Sequence, residues 1–318
     1  MTLISKDISK AIDFLNSNDI IGFPTETVYG LAGNMYSETA VQKIFDIKQR
    51  PAFNPLIVHI KDINELYKVA QNVPQKAMDL ANRFWPGPLT LLLQKNALVP
   101  DIVTAGKTTV AVRIPNHSVA LSLLQQLDFP LVAPSANPFG RISPTTAKHV
   151  ADYFPDKLPM VLDGGNCSHG LESTIVGFDN NDVVVYRLGA ISVEDIEKIA
   201  GKTILRNKNE KSPEAPGMIG KHYAPKTKTV FMDRKYVNFD EFEAENIGVL
   251  SFSKVYVHKK IKHHEVLSTE GDLNEAAQNL YQALHRLDNQ NLDLIVVEKF
   301  EDKELGRSIN DRLKRATT

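Results

Sequence analysis

The sequence predicts an α/β protein in two parts, and three observations carry that reading. Short apolar runs such as Ile20–Phe23, Leu56–Ile60, Leu89–Gln94 and Thr108–Ile114 have strand length, and several stop at polar or proline-bearing loops. Between them apolar residues recur at helical spacing, as at Ile8, Ala11, Ile12 and Leu15. Residues 206–215 carry almost no apolar content, and beyond them strand and helix patterns alternate again.

In chain order, an amphipathic helix near residues 5–17 precedes the strand Ile20–Phe23, which stops at Pro24. Pro24-Thr-Glu-Thr-Val-Tyr-Gly30 is then a polar cluster at a strand end. A helix follows Ser37 with Val41, Ile44 and Ile47 on one face. It ends before Pro51, because the residue before proline avoids helical geometry. Lys48 and Arg50 therefore sit at or just past its final turn. Asp62 with Glu65 makes a capping-box-like helix start after the strand Leu56–Ile60. Pro74 opens another helix, with Ala77, Leu80, Ala81 and Phe84 inward, until Trp85-Pro-Gly-Pro88 breaks it. On the strand Thr108–Ile114, Thr109, Ala111 and Arg113 share one side. Arg113 on so apolar a strand needs a partner or a ligand, because an unpaired buried charge is costly.

The strand Leu131–Ala133 breaks at Pro134, and a helix whose first turn holds Pro144 is expected to follow. The loop between them carries Ser135, Asn137, Arg141 and Ser143. Ligands in open α/β folds bind past the carboxyl ends of strands, and this polar set suits an anion. The same residue types are also ordinary turn formers. A strand near Pro159–Leu162 leads into the loop Asp163–Thr174. Thr174–Phe178 and Val183–Arg187 read as a hairpin, and a helix from Ser192 closes this part. The segment Pro216–Pro225 differs from the polar run before it in holding aromatic and cationic groups. Strands Thr229–Met232, Ile247–Phe252 and Leu292–Val297, with helices Asp272–Leu287 and Lys303–Arg315, predict a small domain with a mainly parallel sheet.

Composition narrows the function classes. The 318 residues, 42% hydrophobic and 24% charged, are enough for two globular domains. With 37 basic and 38 acidic residues, the net charge of -1 disfavours an extended phosphate-binding surface. A single cysteine, Cys167, excludes an internal disulfide framework and any cysteine-rich zinc site. The stretch Met1–Ile8 lacks a signal-peptide core and no run approaches a membrane span, so a cytoplasmic protein without membrane association is expected.

Familiar catalytic motifs are incomplete. Gly106-Lys107-Thr108 lacks the first glycine of a phosphate-binding loop, and Gly217-Met-Ile-Gly220-Lys221 is too short for one. No strand is followed by a G-x-G-x-x-G turn. Cys167 near His169 has no base geometry to make it a nucleophile. The nine histidines show no metal spacing, and the acids form no obvious dyad. What remains is a set of hydroxyls (Thr25, Ser135, Ser143, Ser173) and cations (Lys48, Arg50, Arg113, Arg141, Arg187) near strand ends. Together they predict an anion-binding pocket with no nucleophile of its own.

Nine short segments in order sharpen this reading. They are Phe23–Gly30, Lys48-x-Arg50-Pro51, Asn54–His59, Pro86–Thr90, Val110–Pro115, Pro134–Pro138, Gly170–Thr174, Arg187-x-Gly-Ala190 and His222–Pro225. On these the chain resembles the YrdC-type family, more narrowly its two-domain L-threonylcarbamoyladenylate synthases. The resemblance implies a YrdC-like twisted open mixed sheet with flanking helices, plus a smaller Rossmann-like α/β C-terminal domain. It divides the chain into a catalytic domain (1–205), a linker or lid over the active site (206–225) and the C-terminal domain (226–318).

The implied reaction joins L-threonine, bicarbonate and ATP into threonylcarbamoyl-AMP with release of pyrophosphate. The product would pass to a tRNA threonylcarbamoyl transferase complex. Threonine contacts fall on Thr25, His59, Arg113, Ala133 (backbone) and Ser173; ATP contacts fall on Arg50, Asn54, Thr109, Ser135, Ser143, Arg187 and Tyr223. Lys48 and Arg50 are the expected catalytic cations, with Asn137 and Arg141 as further pocket candidates. Mg²⁺ is expected to arrive with ATP, with no protein side chain ligating it. Two other readings are a carbamoyl-transfer enzyme of the same fold and a double-stranded RNA-binding module.

Overall fold

The protein is described here by a computed structural model covering residues 2–206, 214–218, 223–232 and 237–317. Within the expected lid segment, residues 207–213 and 219–222, including Lys221 and His222, lie outside the described residues. In chain order the strands of the first sheet are β1 (Leu3–Ser5), β2 (Ile21–Phe23), β3 (Gly30–Asn34), β4 (Ile57–His59), β5 (Leu89–Gln94) and β6 (Thr109–Arg113). They continue with β7 (Leu131–Val132), β8 (Met160–Leu162), β9 (Thr174–Asp179), β10 (Asp182–Arg187) and β11 (Thr203–Leu205). Their order across the sheet is β1-β8-β2-β3-β7-β4-β6-β5-β9-β10-β11, with parallel and antiparallel neighbours mixed. The second sheet contains β12 (Thr229–Met232), β13 (Ile247–Ser251), β14 (Ile261–Val266) and β15 (Leu294–Glu298). It runs β12-β15-β13-β14, and every pairing is parallel.

Local signals explain many helix starts. Ser37, Thr146, Ser192 and Asp272 each accept a backbone N–H from the first turn of the helix they precede. Thr146 corrects the expected helix over Pro144: the helix is Ala147–Tyr153, so Pro144 lies before the cap. The Pro144 carbonyl instead accepts the Tyr29 N–H, fastening this loop to the polar cluster after β2. The helix from Ser192 does not close the first part, because β11 follows it and pairs in parallel with β10. Strands β1, β3, β11 and β14 escape sequence patterning for local reasons. β1 and β11 are short, β3 (Gly-Leu-Ala-Gly-Asn) has no period-two pattern, and β14 is a polar edge strand.

The two parts share apolar packing. Val28, Ile142 and Leu171 from the first pack in one core cluster with Leu280, Tyr281 and Leu284 from the helix Leu273–Asp288. That helix comes close enough that a Cβ on Gly170 would lie 2.4 Å from the Gln278 carbonyl oxygen. Gly170 also has φ +70, so glycine suits the position on both counts. Nearby, His149 and His285 stack across the same boundary with ring centroids 3.9 Å apart. His285 Nε2 donates to the Ser143 carbonyl, while His149 Nδ1 accepts the Thr145 N–H. Burial and the facing imidazole push His149 down to about 3, with Asp152 opposing and Lys148 and Arg286 reinforcing the shift. Burial pushes His285 down to about 4 against the Ser143 carbonyl and the charges of Asp288 and Asp152, with Arg141 reinforcing it.

Both rings are therefore neutral in the folded protein at pH 7. The unfolded chain takes up protons at these positions below about 6.5, whereas the folded chain resists them to about 4 at His285 and about 3 at His149. Stability contributed by the stack is complete above pH 6.5 and is lost as pH falls toward 4. Thermal denaturation from pH 8 to 4 should show a steeper acid loss for wild type than for the double variant His149→Phe/His285→Phe. Parallel curves would remove the stack as the cause.

Candidate functional site

One pocket gathers residues from the carboxyl ends of several strands and the loops that leave them. Its walls include Thr25, Arg50, His59, Arg113, Ala133, Ser135, Ser173, Arg187 and Tyr223. Strand register explains the heart of it. In the parallel pair β4 and β6, His59 lies opposite Arg113, and β7 runs antiparallel on the other side of β4. Ala133, just past β7, donates its N–H to Ile57 and lines the same space.

Arg113 has the partner its strand position requires. Its Nη2 pairs with Glu26 Oε1 at 2.6 Å, both side chains almost fully buried. Nη1 donates to Thr27 Oγ1 at 2.8 Å and Nε to the Gly87 carbonyl at 3.2 Å. A guanidinium has more N–H donors than these contacts use, so it can still receive a ligand oxygen. Thr25 Oγ1 donates to the Val28 carbonyl at 2.6 Å and receives the N–H groups of Thr27 and Val28, which folds the loop into a tight hydroxyl turn. His59 Nδ1 meets the Ile57 carbonyl at 3.3 Å, so that nitrogen carries the proton and Nε2 is the acceptor. Burial and the Arg113 charge push His59 down to about 3, fixing the neutral ring.

Elsewhere in the wall, Arg50 and Arg187 make their hydrogen bonds to neutral oxygens. Arg50 donates to the carbonyls of Asn54 and Pro55 at 3.2 and 2.8 Å. Arg187 donates from Nε and Nη2 to the Ser173 carbonyl at 3.0 and 2.8 Å, and from Nη2 to Ser173 Oγ at 2.9 Å. Among the described residues neither forms a direct ion pair with a carboxylate. Burial, then the charge of Arg187, pushes Arg50 down to about 9. Burial also pushes Arg187 down to about 10, against the opposing influence of Tyr223 and Glu172 and with Arg312 and Arg113 adding to the shift. Gly217 lies directly over this cation with φ +84, and a Cβ there would meet Arg187 Cδ at 2.8 Å.

Several expected contacts stand behind the walls. Lys48 is buried, and its Nζ donates to the main-chain oxygens of Ser135 and Asn137. Burial and the Arg50 charge push its pKa well down. The structure thus gives Lys48 a loop-holding position, outside the pocket lining. Ser143 Oγ donates to Glu172 Oε1 at 2.6 Å and does not line the pocket. Thr109 is at the opposite end of β6 from Arg113, about 13 Å along the strand at ~3.3 Å per residue, and is outside the lining. Asn54 and Asn137 are buried, each with an Oδ1 that has no hydrogen-bond partner among the described residues. Arg141 pairs with Asp288 of the C-terminal domain at 3.1 Å, which accounts for it structurally.

Sequence patterning alone misses Glu26, Thr27 and Glu172, although all three lie inside segments it singles out. Glu172 lines the pocket and is also gripped from behind by the second domain. Cys167 is buried and its thiol is pushed up by burial, which leaves it protonated and unsuited to nucleophilic attack. A pocket of hydroxyls, a neutral imidazole and guanidiniums can hold and orient anions, and can stabilise charge that develops on them.

Comparison with known proteins gives the family. A family model described as Telomere recombination matches residues 13–189, and one described as Threonylcarbamoyl-AMP synthase, C-terminal domain, matches residues 191–318. The threonylcarbamoyl-AMP synthase of Pyrococcus abyssi is 38% identical over 322 residues, spanning 96% of this chain and 93% of its own. That of Bacillus subtilis is 38% identical over 321 residues, spanning 97% and 92%. A crystal structure of P. abyssi Sua5 complexed with L-threonine superposes with a TM-score of 0.91 at 37% identity, covering 100% of this chain and 97% of that one. Fold, site and relatives converge: the chain is an enzyme belonging to the two-domain threonylcarbamoyl-AMP synthase family.

Proposed function

We propose that this chain joins L-threonine, bicarbonate and ATP into L-threonylcarbamoyl-AMP, releasing pyrophosphate. The observation that carries the reading is the wall formed by Arg50 and Arg187, two buried guanidiniums bonded only to neutral oxygens among the described residues. A polyphosphate supplies the charge this wall lacks. Arg113 and neutral His59, on adjacent strands, suit the carboxylate and the polar side chain of threonine. The P. abyssi relative was crystallised with L-threonine, which supports L-threonine as a substrate here.

In this reading the nucleophile comes from the substrates. The threonine amine and bicarbonate condense to a carbamate with loss of water. A carbamate oxygen then attacks the α-phosphorus, and the bond to pyrophosphate breaks. The protein supplies alignment of the reacting atoms and stabilisation of the departing charge by Arg50 and Arg187. Ser135 and Ser173 offer hydroxyls at the walls, and Asn54 offers its buried acceptor close to Arg50. Lys48 contributes by fixing the Ser135–Asn137 loop. Mg²⁺ would come with ATP: among the described residues no group of three or more acids, cysteines or histidines is placed to hold a metal, and Glu26 and Glu172 are engaged by arginines. The ion would be held on phosphate oxygens and water. The product, a reactive mixed anhydride, would go to a tRNA threonylcarbamoyl transferase complex making N6-threonylcarbamoyladenosine.

Pyrophosphate release should require both threonine and bicarbonate; release indifferent to either omission would overturn the proposal. Arg113→Gln should raise the threonine KM at least tenfold while leaving the ATP KM within about threefold, reflecting a lost charged hydrogen bond worth about 1.5–3 kcal/mol. Equal shifts in both constants would contradict the assignment. Lys48→Met leaves the Ser135 and Asn137 carbonyls without their shared donor, so kcat/KM for ATP should drop about tenfold or more. An unchanged value would show that the loop needs no such support.

A further inference from the structure

Arg312, on the helix Glu304–Ala316, joins the C-terminal domain to the pocket, together with Arg315, whose Nη1 donates to the Gly217 carbonyl at 2.8 Å, and Tyr281. Arg312 is among the largest fully buried side chains of the protein, at 1% exposure. Nε donates to Glu172 Oε2 at 2.8 Å, Nη2 to the Leu188 carbonyl at 2.6 Å, and Nη1 to Asp311 Oδ2 at 2.7 Å. Its guanidinium also lies over the Tyr223 ring, 4.9 Å from the centroid. Glu172 is the matching hub on the other side. Its carboxylate accepts from Arg312, from Ser143 Oγ at 2.6 Å and from Tyr281 OH at 3.0–3.1 Å. Burial alone would raise its pKa, but the charges of Arg312 and Arg187 and the hydrogen bonds from Ser143 and Arg312 hold it at about 2.

The next residue after Glu172 is Ser173, whose carbonyl and hydroxyl hold Arg187. Tyr223 is held in turn between Arg312 and Tyr281, with the two tyrosine rings 5.8 Å apart. It adopts φ +65, a left-handed backbone that a non-glycine residue keeps only when its surroundings impose it. One buried cation of the second domain therefore bears on both Arg187, through Glu172 and Ser173, and Tyr223, directly. A packing domain would need only the apolar contacts described above. A buried charged fork aimed at two pocket residues does something more specific, because its fixed geometry transmits a fixed placement.

We propose that the C-terminal domain is a working part of the nucleotide side of the pocket, with Arg312 and Glu172 as positioning residues for Arg187 and Tyr223. The inference rests on the reading of that wall as the ATP site. It assigns a role to a domain that need not touch the reacting atoms.

The test uses the full chain and compares wild type with Arg312→Met, Glu172→Gln and Tyr281→Phe. Folding is followed by thermal denaturation and activity by pyrophosphate release, with ATP and threonine varied separately. Arg312→Met should raise the ATP KM at least tenfold and lower kcat, with the threonine KM within about threefold. Glu172→Gln keeps the shape but removes the charge and should shift the ATP constants in the same direction. Tyr281→Phe removes only one hydrogen-bond donor, so it keeps the test decisive if the other two do not fold; an ATP-side loss of about threefold or more is expected. A folded variant set with wild-type ATP constants, or with ATP and threonine constants shifted equally, would overturn the inference while leaving the proposed reaction standing. A wild type that releases no pyrophosphate with all three substrates would overturn the reaction, and this inference with it.

Discussion

Arg50 and Arg187 place two positive charges in a buried space with carbonyl and hydroxyl oxygens as their hydrogen-bond partners. Each is pushed below its ordinary range, first by burial, and Arg50 next by the charge of Arg187. Desolvating like charges together is unfavourable, so the surrounding fold has to hold this arrangement in place. The loops after β2 and β7, the ends of β4, β6 and β10, and the segment leading into β9 all bring oxygens or side chains to the same concavity. An anion entering there relieves the repulsion that the fold maintains.

Arg113 illustrates a different solution a short distance away. Its charge is matched by Glu26 at 2.6 Å, so this end of the pocket is locally neutral and preorganised. A single carboxylate ligand can add to an already fixed guanidinium without rearranging it. The contrast divides one pocket into a neutralised end and a cation-rich end. Threonine and ATP differ in charge in the same sense.

Much of this is legible in the sequence where the signal is local. Period-two alternation places Arg113 on a buried strand and demands a partner; that partner is Glu26, in a loop whose shape no periodicity reports. Arg187 is accessible because it lies at a strand end, whereas His59 and Ala133 look like ordinary strand residues and enter only through the family resemblance. Thr109 and Ser143 are harder, since a shared strand or loop does not say which residues face the cavity. Arg312 is out of reach: its bond to Glu172 spans 140 residues of chain, and on its helix it looks like one more surface cation. The polar strand β14 escapes for the related reason that an edge strand need not be apolar. The helix–loop boundary at Pro144 shows a general weakness, because proline is equally at home before a cap and just after it.

The central claim is that the neutralised end receives the amino acid and the cation-rich end receives the triphosphate. A crystal structure of the full chain with L-threonine and a non-hydrolysable ATP analogue tests it most directly. The threonine carboxylate should lie at Arg113, with phosphate oxygens at Arg50 and Arg187. Phosphates bound at Arg113, or bound away from both Arg50 and Arg187, would contradict it.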